Sequence, residues 1–582
     1  MYLKLVGIVV IAFLLGSCSS KQVADLIVHH GKVYTVDSAF STAEAFAVKD
    51  GKIIAVDKNE AILSGYKADS MVDAHGKAVY PGFIDAHAHF VGYGRSLFEV
   101  NLYDCKTWDE VVDRVKAFAK EHPAEAWIRG RGWDQNKFPG HEYPDNVSIS
   151  GLFPDKPVLL DRVDGHAAIA NARALQMAGV VPGQKIEGGE IGTVKDKLSG
   201  LLIDNAVELV SNIIPKPAKA DYEKWLVAAQ ANCFAQGLTT ITDCGLMYYD
   251  VVMIDTLQRD GKLQMRLYVM LSDNTENFSR YLPRGPYKTD RLYVKGIKAY
   301  ADGALGSRGA CLLMPYNDKP GWQGFLLSKP GHYDSLAKML VNTDFQLCTH
   351  AIGDSGNRMV LNVYNKYLQG KNDKRWRIEH AQVVNESDFE LFGKTSVVPS
   401  VQPTHATSDM SLMLKPVYLN KGYEDTILSA YMNSSLTQEY YLKVSADTLN
   451  WAGDRIGVER LKGAYAYKRL LEQNGWLPLG TDFPVEDISP FKTIYSAVYR
   501  KDKYGCPPKG FQMENALTKE QAIRGITIWA AKADFLENEV GSIEVGKKAD
   551  FVILDADIMK VDERQLLKTK VITTYVGGSK VY

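Results

Sequence analysis

At 582 residues, with 46% hydrophobic and 24% charged side chains, the chain has an ordinary globular composition and is too long for one simple core, which points to a large enzyme domain with additions. A formal net charge of −1, without any basic tract, argues against nucleic acid or an acidic surface as a partner.

Lys4 precedes an apolar run at 5–15 that is too short to span a bilayer but fits the apolar region of a signal peptide. Leu15-Gly16-Ser17-Cys18 follows directly and resembles the lipobox of bacterial lipoproteins. That resemblance implies a signal peptide at 1–17 and lipidation of Cys18. It places the mature protein outside the cytoplasm, membrane-anchored through its N-terminal lipid. The absence of Asp after Cys18 favours the outer membrane of a Gram-negative bacterium. The six other cysteines show no framework spacing, so no disulfide is expected.

From 25 to 79 the chain is strand-rich. Short apolar or alternating runs at 26–28, 32–36, 45–48 and 52–56 are punctuated by Gly31, Asp50-Gly51 and Gly76, as hairpins require. Runs at 549–554 and 571–575 echo this pattern near the other end. Neither set suffices for a sheet layer, so 18–80 and 537–582 are expected to pack as one small β-sandwich.

Between them, at 81–536, strand-like runs recur at 83–89, 238–244, 264–271, 293–300, 345–350, 376–380, 396–402 and 476–482. Intervals such as 222–236, 356–368 and 461–473 can each hold a helix. Strands alternating with helices predict an α/β fold, and this number of them predicts a (β/α)₈ TIM barrel. Two intervals are too long for one helix. The first, 101–220, predicts an insertion over the barrel mouth, and the second, 411–454, is rich in Tyr, Asn and Leu.

The chemistry centres on Pro81-Gly82-Phe83-Ile84-Asp85-Ala86-His87-Ala88-His89. On a strand His87 and His89 share a face, so both imidazoles aim at one point, and neutral imidazole is the commonest protein metal ligand. Lys298, His350, His380 and Asp482 stand at the C-terminal ends of later runs, where a barrel gathers catalytic groups. Each taken alone reads as a core residue or a helix cap. One shared cause explains all six more economically than six accidents. Asp85, one residue pair deeper, reads either as a partner orienting an imidazole or as a buried structural carboxylate.

These residues lie within longer motifs. They include Arg162-Val-Asp-Gly-His166, Lys298-Ala-Tyr-Ala-Asp302-Gly, Ser307-Arg308, His350-Ala-Ile-Gly-Asp354, Ile-Glu-His380-Ala-Gln382, Gln402-Pro-Thr-His405 and Gly-Thr-Asp482. In this order the set resembles the metal-dependent amidohydrolase superfamily, in the branch that includes N-substituted formamide deformylases. The resemblance implies that His87 and His89 hold one divalent metal and His350 and His380 a second. Lys298, carboxylated on its amine, would bridge them, with Lys295 as a competing lysine. Asp482 would bind metal and serve as general base and acid in attack by metal-activated water. Mixed His and carboxylate ligands suit zinc, as one or two ions per chain.

Trp133, His166, Asp302, Arg308 and His405 fall in motifs of the branch and are candidate substrate contacts. Loop anchoring is the other reading for Asp302 and Arg308, and core packing for Trp133. The segment 411–454 departs from the branch pattern, and its place suggests a lid or specificity wall. The function implied is hydrolysis of amide-type C–N bonds in a small-molecule substrate, such as an N-acyl or N-formyl amine. The alternatives are a deaminase or cyclic-amide hydrolase on the same scaffold, or a catalytically silent ligand-binding lipoprotein. Ala351 after His350 weakens the deaminase, and Asp482 weakens the silent binder. Oligomeric state is left open, a homodimer included.

Overall fold

The computed structural model describes residues 21–409, 451–507 and 509–582. The predicted signal peptide, Cys18 and most of the predicted insertion 411–454 lie outside the described residues.

A parallel sheet organises the middle of the chain. Its strands are β1 (Phe83–Ala88), β2 (Leu238–Leu246), β3 (Arg266–Ser272), β4 (Leu292–Tyr300), β5 (Gln346–Ala351), β6 (Arg377–His380) and β7 (Val398–Ser400), each paired with the next in chain order. They read as near-continuous apolar runs, such as Leu267-Tyr-Val-Met-Leu271, because both faces of a parallel sheet are covered. Helices Lys219–Ala235, Tyr248–Arg259, Pro330–Leu340 and Asp354–Tyr367 fill the intervals.

The eighth predicted run, 476–482, is not a regular strand. Pro478 has no N–H to give, and Leu479 donates to Gly525 O (3.0 Å) instead of along a ladder. The segment nevertheless bonds to both sheet edges. Gly480 donates to Val401 O (3.0 Å), Ala86 donates to Leu479 O (3.2 Å), and Asp482 donates to His87 O (2.7 Å). The result is a TIM-like α/β barrel. Closure needs glycine at 480, where an added Cβ would lie 2.6 Å from the His87 nitrogen.

The predicted insertion carries its own mixed sheet. Its strands, in spatial order, are Gly189–Val194, Lys197–Asp204, Ala167–Ala170, Val158–Arg162, Ile128–Trp133 and Val100–Asn101. One apolar cluster gathers Val111, Ile128, Trp133 and Leu160, and a second gathers Trp127, Leu159, Leu175 and Leu202. Strand alternation thus feeds two cores.

The chain ends form two further sheets. One orders Lys52–Asp57, Ala45–Lys49, Gln22–His29 and Tyr66–Asp73. The other joins both termini, pairing Ala78–Pro81 with Phe551–Leu554. A shared core of Val28, Phe46, Val33, Val79, Phe551 and Tyr575 lies between them, with Phe551 stacked on Tyr575 at 4.4 Å between ring centroids.

Asp557 ties the two ends of the chain together. It accepts from the hydroxyls of Tyr34 (2.9 Å) and Tyr80 (3.1 Å) and from the Lys32 ammonium (3.0 Å). Burial opposes its ionisation, but these donors outweigh burial and hold the carboxyl below its ordinary value. A depressed folded pKa contributes stability that is present above the unfolded value and lost as pH falls through the folded one. Asp557→Asn is therefore expected to cost about 1–2 kcal/mol near neutrality, and little in acid once the wild-type carboxylate is protonated. Urea midpoints near neutrality and in acid check this.

Candidate metal centre

β1 ends at the barrel mouth with His87 and His89 on one face. His87 Nδ1 lies 2.5 Å from Glu379 Oε2, and His89 Nδ1 lies 2.9 Å from the Cys244 carbonyl. Both partners only accept, so both imidazoles carry the proton on Nδ1 and present a Nε2 lone pair to the same space. Burial, with Lys298 nearby, pushes the His87 pKa down to about 4, which keeps that ring neutral. Burial and neighbouring imidazoles hold His350 and His380 well below the ordinary histidine value too.

Asp482 faces them from the closing segment. Its Oδ1 lies 3.2 Å from His89 Nε2 and 3.7 Å from His87 Nε2, without hydrogen-bond geometry to either. Its Oδ2 lies 3.2 Å from His405 Nε2. Burial would raise the Asp482 pKa, but the imidazoles of His405 and His89 reverse that and keep the carboxyl well below its usual range. Asp482 (φ 65°) and His380 (φ 73°) both adopt the left-handed backbone region, which side chains other than glycine seldom enter.

Two triads of donor atoms result, each within 4.8 Å of one another: His87, His89 and Asp482, and His380, His405 and Asp482. His87 Nε2, His380 Nδ1 and Asp482 Oδ1 are buried with no hydrogen-bond partner among the described residues. A buried lone pair left unpaired is costly, whereas a neutral imidazole and a carboxylate oxygen are what a divalent cation takes as ligands. The donor set therefore fits a divalent metal.

The model of the amidohydrolase family matches residues 70–422 and 439–582. The chain belongs to the amidohydrolase family. This amidohydrolase is 31% identical to Protein LONG AFTER FAR-RED 3 of Arabidopsis thaliana, over 96% of this chain and 92% of that one. It is 24% identical to the N-substituted formamide deformylase of Arthrobacter pascens, over 96% and 98%. The crystal structure of an uncharacterised metal-dependent hydrolase from Pyrococcus horikoshii OT3 superposes with a TM-score of 0.70 at 25% identity, covering 92% of this chain and 99% of that one. With the His and Asp donor set, these relations make this amidohydrolase a metal-dependent hydrolase.

The six side chains singled out from the sequence meet at this mouth with unequal parts. Lys298 is buried, its Nζ 4.9 Å from the Tyr300 ring centroid, and its charge acts on His87, His350 and His380. Lys295 instead donates to Asp344 O away from the cluster. His350 touches the His380 ring at 4.5 Å between centroids, but its Nε2 points to Gly303 O (3.5 Å) and Asp302 Oδ1 (3.8 Å). His405 occupies the second triad in its stead. His166, with Nδ1 2.6 Å from Asp204 Oδ1, lies beside His350 at 5.0 Å between rings.

Trp133, Asp302 and Asp85 take the structural alternative that the sequence left open for each. Trp133 is fully buried in the insertion core and donates its indole N–H to Leu160 O (2.7 Å), so it has no face for substrate. Asp302 is buried, and both its oxygens accept backbone N–H groups, from Ile352 (2.9 Å), Gly353 (2.8 Å) and Cys311 (2.8 Å). It anchors loops rather than substrate. Arg308 pairs with Asp318 (2.8 Å) and lines a small cavity with Tyr143, Trp322 and Phe325. Asp85 orients no imidazole. It accepts from the backbone of His87 (3.1 Å) and Thr481 (3.0 Å) and from the Thr481 hydroxyl (2.6 Å), fastening the closing segment to β1.

Sequence reasoning missed Glu379. This buried carboxylate holds His87 in place and is itself held by Arg377, with Nε to Oε1 at 2.7 Å. The signal was present: Arg377 and Glu379 are two opposite charges at i and i+2 of a short strand-like run, hence on one face of β6.

Proposed function

We propose that this amidohydrolase cleaves the C–N bond of N-acyl or N-formyl amines, with His87, His89 and Asp482 holding one divalent ion and His380 with His405 or His350 a second. The observation that carries this reading is the convergence of buried, unpartnered His87 Nε2, His380 Nδ1 and Asp482 Oδ1. Bound there, a divalent ion would supply Lewis acidity toward the amide carbonyl and toward water.

The chain's own groups complete the proposal. Asp482 is the proton acceptor, since among the described residues it alone presents a carboxylate to both triads. It would return the proton to the departing amine nitrogen. Glu379 and the Cys244 carbonyl keep His87 and His89 in the ligating tautomer. Lys298 is proposed to be carboxylated, which would turn an ammonium unfavourable beside a dication into an anionic oxygen donor. A carbamate signal after incubation with ¹³C-bicarbonate and metal would test it.

Zinc is proposed as the ion on ligand type. Chelation is expected to abolish hydrolysis of a panel of N-formyl and N-acyl amines, and zinc or manganese to restore it. Activity that persists in the metal-free chain, or a loaded chain inert on the whole panel, would overturn the reading. Lipid anchoring through Cys18 is proposed from the Leu-Gly-Ser-Cys motif, and Cys18→Ser should move the protein from the detergent phase to the aqueous phase on detergent partition.

A further inference from the structure

Three arginines stand on the paired strands Ile128–Trp133 and Val158–Arg162 of the insertion. Two have carboxylate partners. Arg129 lies 3.3 Å from Glu99 and 3.6 Å from Asp161, and Arg162 lies 2.5 Å from both Asp134 and Asp164. Arg131 has no carboxylate at ion-pair distance among the described residues. Its Nη2 donates to the Val163 carbonyl (3.1 Å), and its buried Nε has no hydrogen-bond partner.

Its position gives that vacancy a meaning. On one side is the turn leading into His166, where a Cβ on Gly165 would lie 3.1 Å from Arg131 Nη2. On the other is Tyr103, which packs against Gly132 and donates its hydroxyl to the carbonyl of Pro484, two residues beyond Asp482. The guanidinium thus sits between the loop that carries His166 and the loop that carries Asp482. Burial works against its charge, but Tyr103, Asp161 and Asp482 sustain it, so Arg131 stays cationic. A half-buried fork of N–H donors at the rim of a reaction site, unmatched by a carboxylate among the described residues, matches a planar anion brought by a ligand.

We propose that Arg131 is the anion anchor of the substrate site, and that the amides cleaved carry a carboxylate next to the scissile C–N bond, as N-formyl and N-acyl amino acids do. This rests on the reading of the chain as a hydrolase of N-acyl or N-formyl amines. The competing role is a tether for the Val163 turn, which would serve every substrate equally.

A matched pair separates the two: N-formylphenylalanine and N-(2-phenylethyl)formamide, which differ only by the carboxylate. With the zinc-loaded full chain, kcat/KM is expected to favour the acid by about 100-fold, the scale of a desolvated charge pair. Arg131→Met should lower the acid's value by about 100-fold and leave the neutral amide within about threefold. Arg131→Lys, which keeps the charge without the fork, should recover about a tenth of the wild-type preference. Equal turnover of acid and neutral amide by the wild type, or parallel loss of both in Arg131→Met, would overturn the proposal. Calorimetry of N-formylphenylalanine with the metal-depleted full chain and its Arg131→Met variant supplies a readout free of turnover. If neither compound is cleaved, the amide reading fails, while binding that depends on Arg131 still supports the anchor and binding indifferent to it still refutes it.

Discussion

Replacing Asp482 by asparagine is expected to lower kcat/KM on any amide substrate by about 10³-fold or more while leaving the barrel folded. A positioned general base alone contributes about 10²–10⁴-fold, and this carboxylate also belongs to both donor triads. Its backbone N–H donates to His87 O and would still do so in the asparagine variant, so closure of the ring is preserved. The asparagine amide accepts no proton and offers a cation only a neutral carbonyl oxygen, so the base is lost and the ligand weakened. Metal content then divides them. Retention of metal with loss of kcat marks the base, and loss of both marks the ligand. Activity within about tenfold of wild type would remove Asp482 from the chemistry.

The second large effect is expected at Glu379. This carboxylate is fully buried between His87 and Arg377, and Arg377 also reaches the Ala86 carbonyl (2.6 Å), the Ser400 hydroxyl (2.8 Å) and Asp534 (3.2 Å). Burial alone would keep Glu379 protonated, but Arg377 and His87 overcome it and hold the carboxyl far below its usual range. Glu379→Ala takes from the buried Arg377 one of its two carboxylate partners and leaves the His87 Nδ1 proton unpaired, and is expected to cost about 3–5 kcal/mol of stability. Glu379→Gln keeps the shape and a hydrogen-bonding group but loses the charge that fixes the His87 tautomer, and is expected to weaken metal affinity by about 10–100-fold. Denaturant midpoints read the first, and competition with a chelating dye reads the second. A Gln variant of unchanged affinity would mean that Glu379 serves the fold alone.

Much of this architecture is legible in the sequence because a barrel strand is a repeated, one-dimensional signal. The seven parallel strands were visible as apolar runs with polar ends, and the pairing of His87 with His89 follows from a period of two. Tyr66–Asp73 was not visible. It is largely exposed, its sequence Tyr-Lys-Ala-Asp-Ser-Met-Val-Asp shows no buried face, and only its parallel pairing with Gln22–His29 makes it a strand. The closing segment broke the pattern for a different reason, since proline and glycine there serve close approach to β1. Within the mouth, residue types named the donors but could not say which way each ring turns. His405 and His350 looked alike in sequence. Only the fold shows His405 facing Asp482 and His350 turned toward Gly303. For Asp85, Asp302 and Trp133 the sequence left a functional and a structural reading open, because neither strand position nor motif membership reveals that their polar atoms are already committed elsewhere.

The most direct test is anomalous diffraction from crystals of the metal-loaded chain, collected on both sides of the absorption edge of the ion found by elemental analysis. A peak between His87 Nε2, His89 Nε2 and Asp482 at ligand distances of about 2.0–2.2 Å is the predicted result. A fully active crystal with no anomalous density within reach of those imidazoles would contradict it.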